Sequence, residues 1–410
     1  GPPYSEAQCD PQASGAYIFR PNSSIVFRPG PQPRPSVTVT NGSLVVEIRQ
    51  QFSDWTSHVI RLIKGQPYVE VEWTAGPIPM HTNWIEGEGD TGKEVIIKYS
   101  TSLDSKGKFE TDSNGRELVE RVYNQRGKSY PQPYNISEPV AGNYYPVNAM
   151  IAIKDEKKDA ELVVITDASM GGASLSSGEI EMMVHRRILQ DDVRGVQEPL
   201  NETMCGCNDI NAPPGQMGAH GHLGDGGCEC AGLTMRGRHW LVLDTIESAN
   251  DMRRKLDNLL NFPATLTFAD KAVGTGARTP KAEYLSEPLP ENVKLMTLTD
   301  NYKHAMGGTL LRLSHLYSVG EHPTLSLPAK VSLSAVFAGK GLKIKTVEET
   351  SLTGNQPLKE LDASKLVWKT YDPSHYDPPK PYDERVYMNP DGFVVELRPM
   401  ELRTFWVTFE

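Results

Sequence analysis

The stretch HRRILQDDVRG, residues 185–195, places four basic side chains and two adjacent aspartates within eleven positions. Two carboxyls that break a glycosidic bond must face each other across a sugar, about 5.5 Å apart for retention and further apart for inversion. Neighbouring residues of an extended chain point to opposite faces, so Asp191 and Asp192 are not such a pair. They read as the hydrogen-bonding end of a turn that follows a strand, EIEMMVHRRIL, with Gly195 relaxing the turn. Arg194 is the exception. An arginine fixed by neighbouring aspartates presents a planar donor fork to a carboxylate or to sugar hydroxyls.

The segment CGCNDINAPPGQMGAHGHLGDGGCEC raises metal chemistry, with Cys205, Cys207, Cys228 and Cys230 beside His220 and His222. The strong zinc pattern is a C-x-x-C pair whose turn aims both sulfurs at one ion. A C-x-C pair in extended chain sets its sulfurs on one side, about 7 Å apart. Sequons at Asn22, Asn41, Asn135 and Asn201 favour the secretory route, where thiols pair. The four cysteines are therefore expected as disulfide candidates stapling a surface loop, their connectivity open, and no metal is assigned to this chain. Cys9 is left over, which suggests a partner chain or a free thiol.

Two tyrosine motifs remain. In SGAYIFRPN (14–22) the bland reading is a starting strand with a buried aromatic, and the functional one is a Tyr17 hydroxyl aimed into a cleft. In AGNYYPVN (141–148), Tyr144 and Tyr145 precede a rigid proline, and core packing is the first reading. No G-x-S-x-G, Walker A, strand-borne G-x-G-x-x-G or H-E-x-x-H is present.

The elements that must position these residues have a period of two. SLVVEIRQQF, SHVIRLI, YVEVEWTAG, EVIIKYS and ELVVITD read as strands. Asn114-Gly115 marks a hairpin. One helix is expected over 248–262, with Ser248 as N-cap and Met252, Leu256, Leu259 and Leu260 on one face. The class is mostly β with little helix: a large antiparallel sandwich over 1–270, a Gly/Pro-rich linker over 271–295 and a smaller sandwich over 296–410. In the last, VKLMTLT, TLLRLSHLYSV, KVSLSAVF, LKIKTVEET, KLVWKT and GFVVELRPMELRTFWVTF carry the strands. A net charge of −10 argues against nucleic acid, and no apolar run is long enough to span a membrane. The start, GPPYSEAQCD, shows no signal peptide. It fits a processing site inside a precursor or a tag-protease scar equally.

Seven stretches, in order along nearly the whole chain, resemble the class II α-mannosidases of glycoside hydrolase family 38, lysosomal or vacuolar branch. They are SGAYIFRPN, GKEVIIKYST, FETDSNGRE, EPVAGNYYPVN, SGEIEMMVHRRILQDDVRGVQEPL, RGRHWLVLD and ELRPMELRTFWV. The resemblance is to the C-terminal part, after the catalytic domain. It implies a small subunit of an acid α-mannosidase that acts on terminal α-mannosyl residues of N-glycans with retention. Nucleophile, acid and zinc would lie on a larger N-terminal chain of the same precursor, so no catalytic residue is expected here and the chain alone should be inactive. Tyr17 and Arg194 would reach the substrate cleft, with Asp192 and Tyr145 as further substrate-side candidates. Lysosome, vacuole or secretion would be the location, and a higher oligomer is open. The competing reading is a secreted lectin-like sandwich that binds mannose glycans without cleaving them.

Overall fold

Short runs of Val, Ile and aromatic residues cut by Gly, Asn and Pro become strands wherever one face finds an apolar partner. The computed structural model describes residues 14–80, 92–126, 136, 138–189, 199–202, 232–266, 268, 285–302, 308–339, 342–366 and 392–410. The chain divides into two units, Gly1–Pro263 and Ala264–Glu410.

In the first unit the strands are β1 (Ser36–Asn41), β2 (Val45–Ser53), β3 (Thr56–Ile63), β4 (Val69–Ala75), β5 (Lys93–Ser100), β6 (Lys108–Ser113), β7 (Glu117–Val122), β8 (Tyr145–Val147), β9 (Met150–Asp155), β10 (Ala160–Thr166), β11 (Met170–Ala173), β12 (Glu179–Arg187) and β13 (Met235–Asp244). They make a nine-stranded sheet, β1-β2-β3-β4-β13-β10-β9-β6-β7, and a four-stranded sheet, β5-β12-β11-β8. All their pairings are antiparallel. Ile151, Ile153, Leu162 and Val164 of the large sheet meet Ile180 and Met182 of the small one. On the other side of the large sheet, Met150, Val163, Ile165 and Val242 pack under helix α1 (Ile246–Asn261). β9 and β10 are thus buried on both faces, which is why residues 150–153 and 162–165 are apolar without the alternation expected of ELVVITD. Asn114 and Gly115 both take positive φ in the β6–β7 turn, as the dipeptide predicts.

Two details of α1 differ from expectation. Its N-cap is Thr245, whose Oγ1 accepts from the Ser248 amide at 3.3 Å, because β13 ends at Asp244 and the chain turns at once. Leu259 is 61% exposed, while Ala249, Arg253, Arg254 and Leu256 are buried. The inward stripe is shifted by two arginines that apolar patterning could not count.

The second unit holds β14 (Val293–Thr299), β15 (Thr309–His315), β16 (Ala329–Ser332), helix α2 (Leu333–Val336), β17 (Ile344–Thr350), helix α3 (Leu358–Ser364), β18 (Val394–Leu397) and β19 (Leu402–Phe409). The sheets are β14-β15-β19-β17 and β16-β18, with Leu311, Leu313, Val331, Val395, Phe405 and Val407 in one core. Here β14 starts inside the stretch expected as linker. KVSLSAVF is half strand and half helix, because the Ser332 side chain caps α2 by accepting from the Ala335 amide. Most of KLVWKT lies outside the described residues.

Candidate functional site

Strand β12 sets up the site through one irregularity. Its residues Ile180 and Met182 face the sandwich core and Glu181 faces out, as simple alternation requires. Between Met183 and His185 the pairing with β5 slips by one residue, so Met183 opposes Ile96 and His185 opposes Val95. This β-bulge reverses the alternation. Arg186, which would otherwise follow Ile180, Met182 and Val184 inward, comes out opposite Glu94 on the same face as Glu181.

There its guanidinium grips the SGAYIF segment. Nη1 donates to the Ala16 carbonyl at 3.1 Å, and Nη2 to the carbonyls of Gly15 at 3.0 Å and Ile18 at 2.9 Å. Nη2 also reaches Glu94 Oε1 at 3.2 Å. The segment closes on itself through Gly15 N to Ile18 O at 2.9 Å and Arg20 N to Ser14 Oγ at 2.8 Å. Arg20 Nε is tied to Glu138 at 3.0 Å, and Phe19 packs edge-on against Tyr144 at 4.9 Å. Between these anchors Tyr17 stands 52% exposed in a bend. The expected starting strand with a buried aromatic is therefore absent. Three backbone carbonyls bound to one arginine leave no strand partner to pair with.

Below the segment, the Tyr144 hydroxyl donates to Glu181 Oε1 at 2.5 Å. Burial, then the nearby Glu181 charge, holds that phenol well above its ordinary range. Burial also raises the Glu181 carboxyl. The pair is a stiff floor, with Lys98 3.0 Å from Glu179 and 3.9 Å from Glu181 at its rim.

The other cations of the opening stretch point the opposite way. His185 Nε2 lies 3.0 Å from the Leu233 carbonyl. Arg187 donates to the Asn201 side-chain oxygen and to the Ile78 carbonyl, each at 2.7 Å. A Cβ on Gly232 would sit 2.9 Å from Arg187 Nη1, so glycine is what lets that guanidinium lie flat there. Ile188 N bonds to Leu200 O at 2.9 Å, bracketing the segment that carries the two aspartates and Arg194. Asp191, Asp192 and Arg194 lie outside the described residues, as do Cys9, Asn135, Cys205, Cys207, Cys228 and Cys230.

Tyr145 is built into the sandwich rim. Its hydroxyl accepts from Arg126 Nη1 at 2.7 Å, Arg121 lies 4.3 Å from the ring centroid, and Phe109 packs edge-on at 5.7 Å. These are a hydrogen bond, a cation–π contact and an edge-on ring contact, and they hold the side chain in place. Asn22 and Asn41 are exposed, whereas Asn201 is buried with its amide oxygen on Arg187. Among the described residues no three His, Cys, Asp or Glu side chains come together as a metal-holding group, and His220 and His222 lie outside them with the four clustered cysteines. No helix among them is long and apolar enough to cross a membrane. Sequence reasoning missed Arg186, Glu94 and Glu138. The only available signal was Arg186-Arg187 itself, since consecutive strand arginines must serve two faces.

Profile comparison matches residues 7–194 to the glycosyl hydrolases family 38 C-terminal domain and residues 292–405 to the glycosyl hydrolases family 38 C-terminal beta sandwich domain. The lysosomal alpha-mannosidase of Mus musculus is 39% identical over 399 residues, covering 96% of this chain and 34% of the mouse protein. An alpha-mannosidase of Arabidopsis thaliana is 36% identical over 405 residues, covering 98% of this chain and 36% of the plant protein. The crystal structure of an alpha-mannosidase from Enterococcus faecalis V583 superposes with a TM-score of 0.50 at 12% identity, over 91% of this chain and 35% of that one, a likeness of fold alone. The chain thus spans about a third of the length of these relatives. With two matched domains in sequence and relatives of this similarity along nearly all of it, the chain belongs to glycoside hydrolase family 38, as its C-terminal β part.

Proposed function

We propose that this chain is the C-terminal part of an acid α-mannosidase, of lysosome or vacuole, that releases terminal α-mannosyl residues from N-glycans with retention. The nucleophile, the acid and the zinc belong to the larger N-terminal part of the same precursor. This chain braces that part and leans Tyr17 and Arg194 over the sugar. The phenol of Tyr17 hydrogen-bonds a substrate hydroxyl or a catalytic carboxylate, and the guanidinium of Arg194 does the same through its donor fork. Each bond strengthens as charge develops at the anomeric carbon and contributes on the order of 1–3 kcal/mol to transition-state binding.

What supports this reading is the posture of Tyr17, exposed at the tip of a segment whose neighbours on both sides are fixed by one arginine. A phenol kept for packing would be turned inward, as Tyr144 is. The test is hydrolysis of an aryl α-mannoside by the purified chain, by the chain reunited with the N-terminal part, and by that assembly carrying Arg194→Ala. Activity and bound zinc are expected only in the assembly, with turnover reduced in the variant. Turnover by the chain alone overturns the division of labour, and an unaffected variant removes Arg194 from the site.

A further inference from the structure

We propose that Arg186 is a positioning residue for the reaction, acting through Tyr17. The inference rests on the reading of Tyr17 given above and adds to it the residue that sets where the phenol stands.

The geometry is specific. Tyr17 sits between Ala16 and Ile18, whose carbonyls both accept from Arg186, at 3.1 and 2.9 Å, the first on the peptide that enters Tyr17 and the second on the peptide that leaves Ile18. Gly15 adds a third carbonyl at 3.0 Å. Holding the backbone on both sides of Tyr17, together with the Gly15 amide to Ile18 carbonyl bond, restricts the direction in which its Cα–Cβ bond leaves the chain, and Arg186 supplies three of those holds. Arg186 is itself fixed, by Glu94 at 3.2 Å on the neighbouring strand and by burial, with its side chain 19% and that of Glu94 13% exposed. It stands on the outer face only because of the bulge between Met183 and His185. A grip made only for stability would not need an exposed side chain at its centre. This one encloses Tyr17 and leaves it 52% open.

Reach separates this role from a charge effect. A guanidinium spreads its donors over a planar fork and contacts three carbonyls and a carboxylate together. A lysine keeps the charge, but its donors radiate from one nitrogen on a shorter side chain, so it cannot reproduce the separate Nη1 contact to Ala16 and Nη2 contacts to Gly15, Ile18 and Glu94. Misplacement of a reacting group by about 1 Å costs on the order of 100-fold in rate, so loosening the segment should be visible in turnover.

The experiment uses the whole enzyme, with this chain and the N-terminal part together. It compares wild type, Tyr17→Phe, Arg186→Lys and the double variant for kcat/KM on an aryl α-mannoside. Hydrogen exchange over residues 14–20 and over β12 is followed in parallel. Arg186→Lys should lower kcat/KM by about 10-fold or more and speed exchange in 14–20 while β12 stays protected. The double variant should be no worse than Tyr17→Phe alone, because Arg186 has nothing left to position. If Tyr17→Phe is costly but Arg186→Lys matches wild type, or if the two losses multiply, the positioning role is wrong and the reading of Tyr17 stands. If Tyr17→Phe is silent, the reading of Tyr17 falls and takes this inference with it. Should Arg186→Lys deprotect β12 as much as 14–20, the arginine is a fold residue and the proposal is overturned.

Discussion

Two outward faces of the first unit each turn on a sheltered arginine, and they use it differently. Under α1, Arg253 is 3% exposed and spends its charge on carboxylates, Glu161 at 3.2 Å and Glu110 at 3.7 Å. On the small sheet, Arg186 spends most of its donors on neutral carbonyls of one short segment. The first arrangement clamps a helix onto a sheet and is closed over. The second holds a segment still while leaving its central side chain in the open. A buried cation paired with acids is a fastening, whereas one wrapped by the backbone of an exposed bend is a mount.

The sharpest way to break this contrast is Arg253→Met. It removes the Arg253 donor from Glu161, which is fully buried, and leaves Lys154 as the nearby cation. Removing one member of a buried pair costs about 3–5 kcal/mol, measured as a fall in urea-unfolding free energy of the chain. A variant within 1 kcal/mol of wild type, on the order of a surface substitution, would mean the helix face is not fastened this way.

The space between the faces supplies the next test. His239 is fully buried, donor or acceptor to the Tyr99 hydroxyl at 2.9 Å through Nδ1, and burial, then the His58 charge, lowers it to about 3. His58 is lowered to about 4 by burial. Below the unfolded value of 6.5 the unfolded chain binds protons that the folded one refuses, so stability falls as pH drops toward the folded values. Between pH 6.5 and 5 the His239 contribution is about 2 kcal/mol. Glu161 and Glu181, raised by burial, act in the opposite sense and recover stability as acid is added. His239→Gln should therefore flatten the loss of unfolding free energy over that window. An unchanged pH slope would contradict the assignment.

The smallest expected effect is Tyr144→Phe. It removes the donor to a buried Glu181 and should cost about 1–2 kcal/mol of stability. It leaves the ring against Phe19, so the mount should survive, checked by wild-type hydrogen exchange in residues 14–20. Faster exchange there would make the floor part of the mount.

Much of the fold was legible because alternation and turn chemistry are local. β2 to β5 fall within one or two residues of the apolar runs, and Asn114-Gly115 turns as such dipeptides do. What was hidden depended on partners distant in sequence. The bulge in β12 is a matter of register against β5, and strict alternation counts Arg186 inward with Met182 and Val184. Glu138 meets Arg20 across 118 residues. The N-cap moved from Ser248 to Thr245 because the end of β13 determines where α1 begins. α3 was missed because seven residues are too few to show a helical period. Tyr17 was singled out by its motif, but the Arg186 contacts on either side of it join residues 170 and 168 positions apart and could not be read from its neighbours in sequence.

The most direct measurement is kcat/KM of the whole enzyme with Tyr17→Phe, beside its melting temperature. Loss of one hydrogen bond to the reacting sugar or its carboxylates predicts a drop of about ten-fold or more with the melting temperature unchanged. Full activity in that variant would mean that the exposed phenol faces solvent and not substrate, and the role given to this chain would be contradicted.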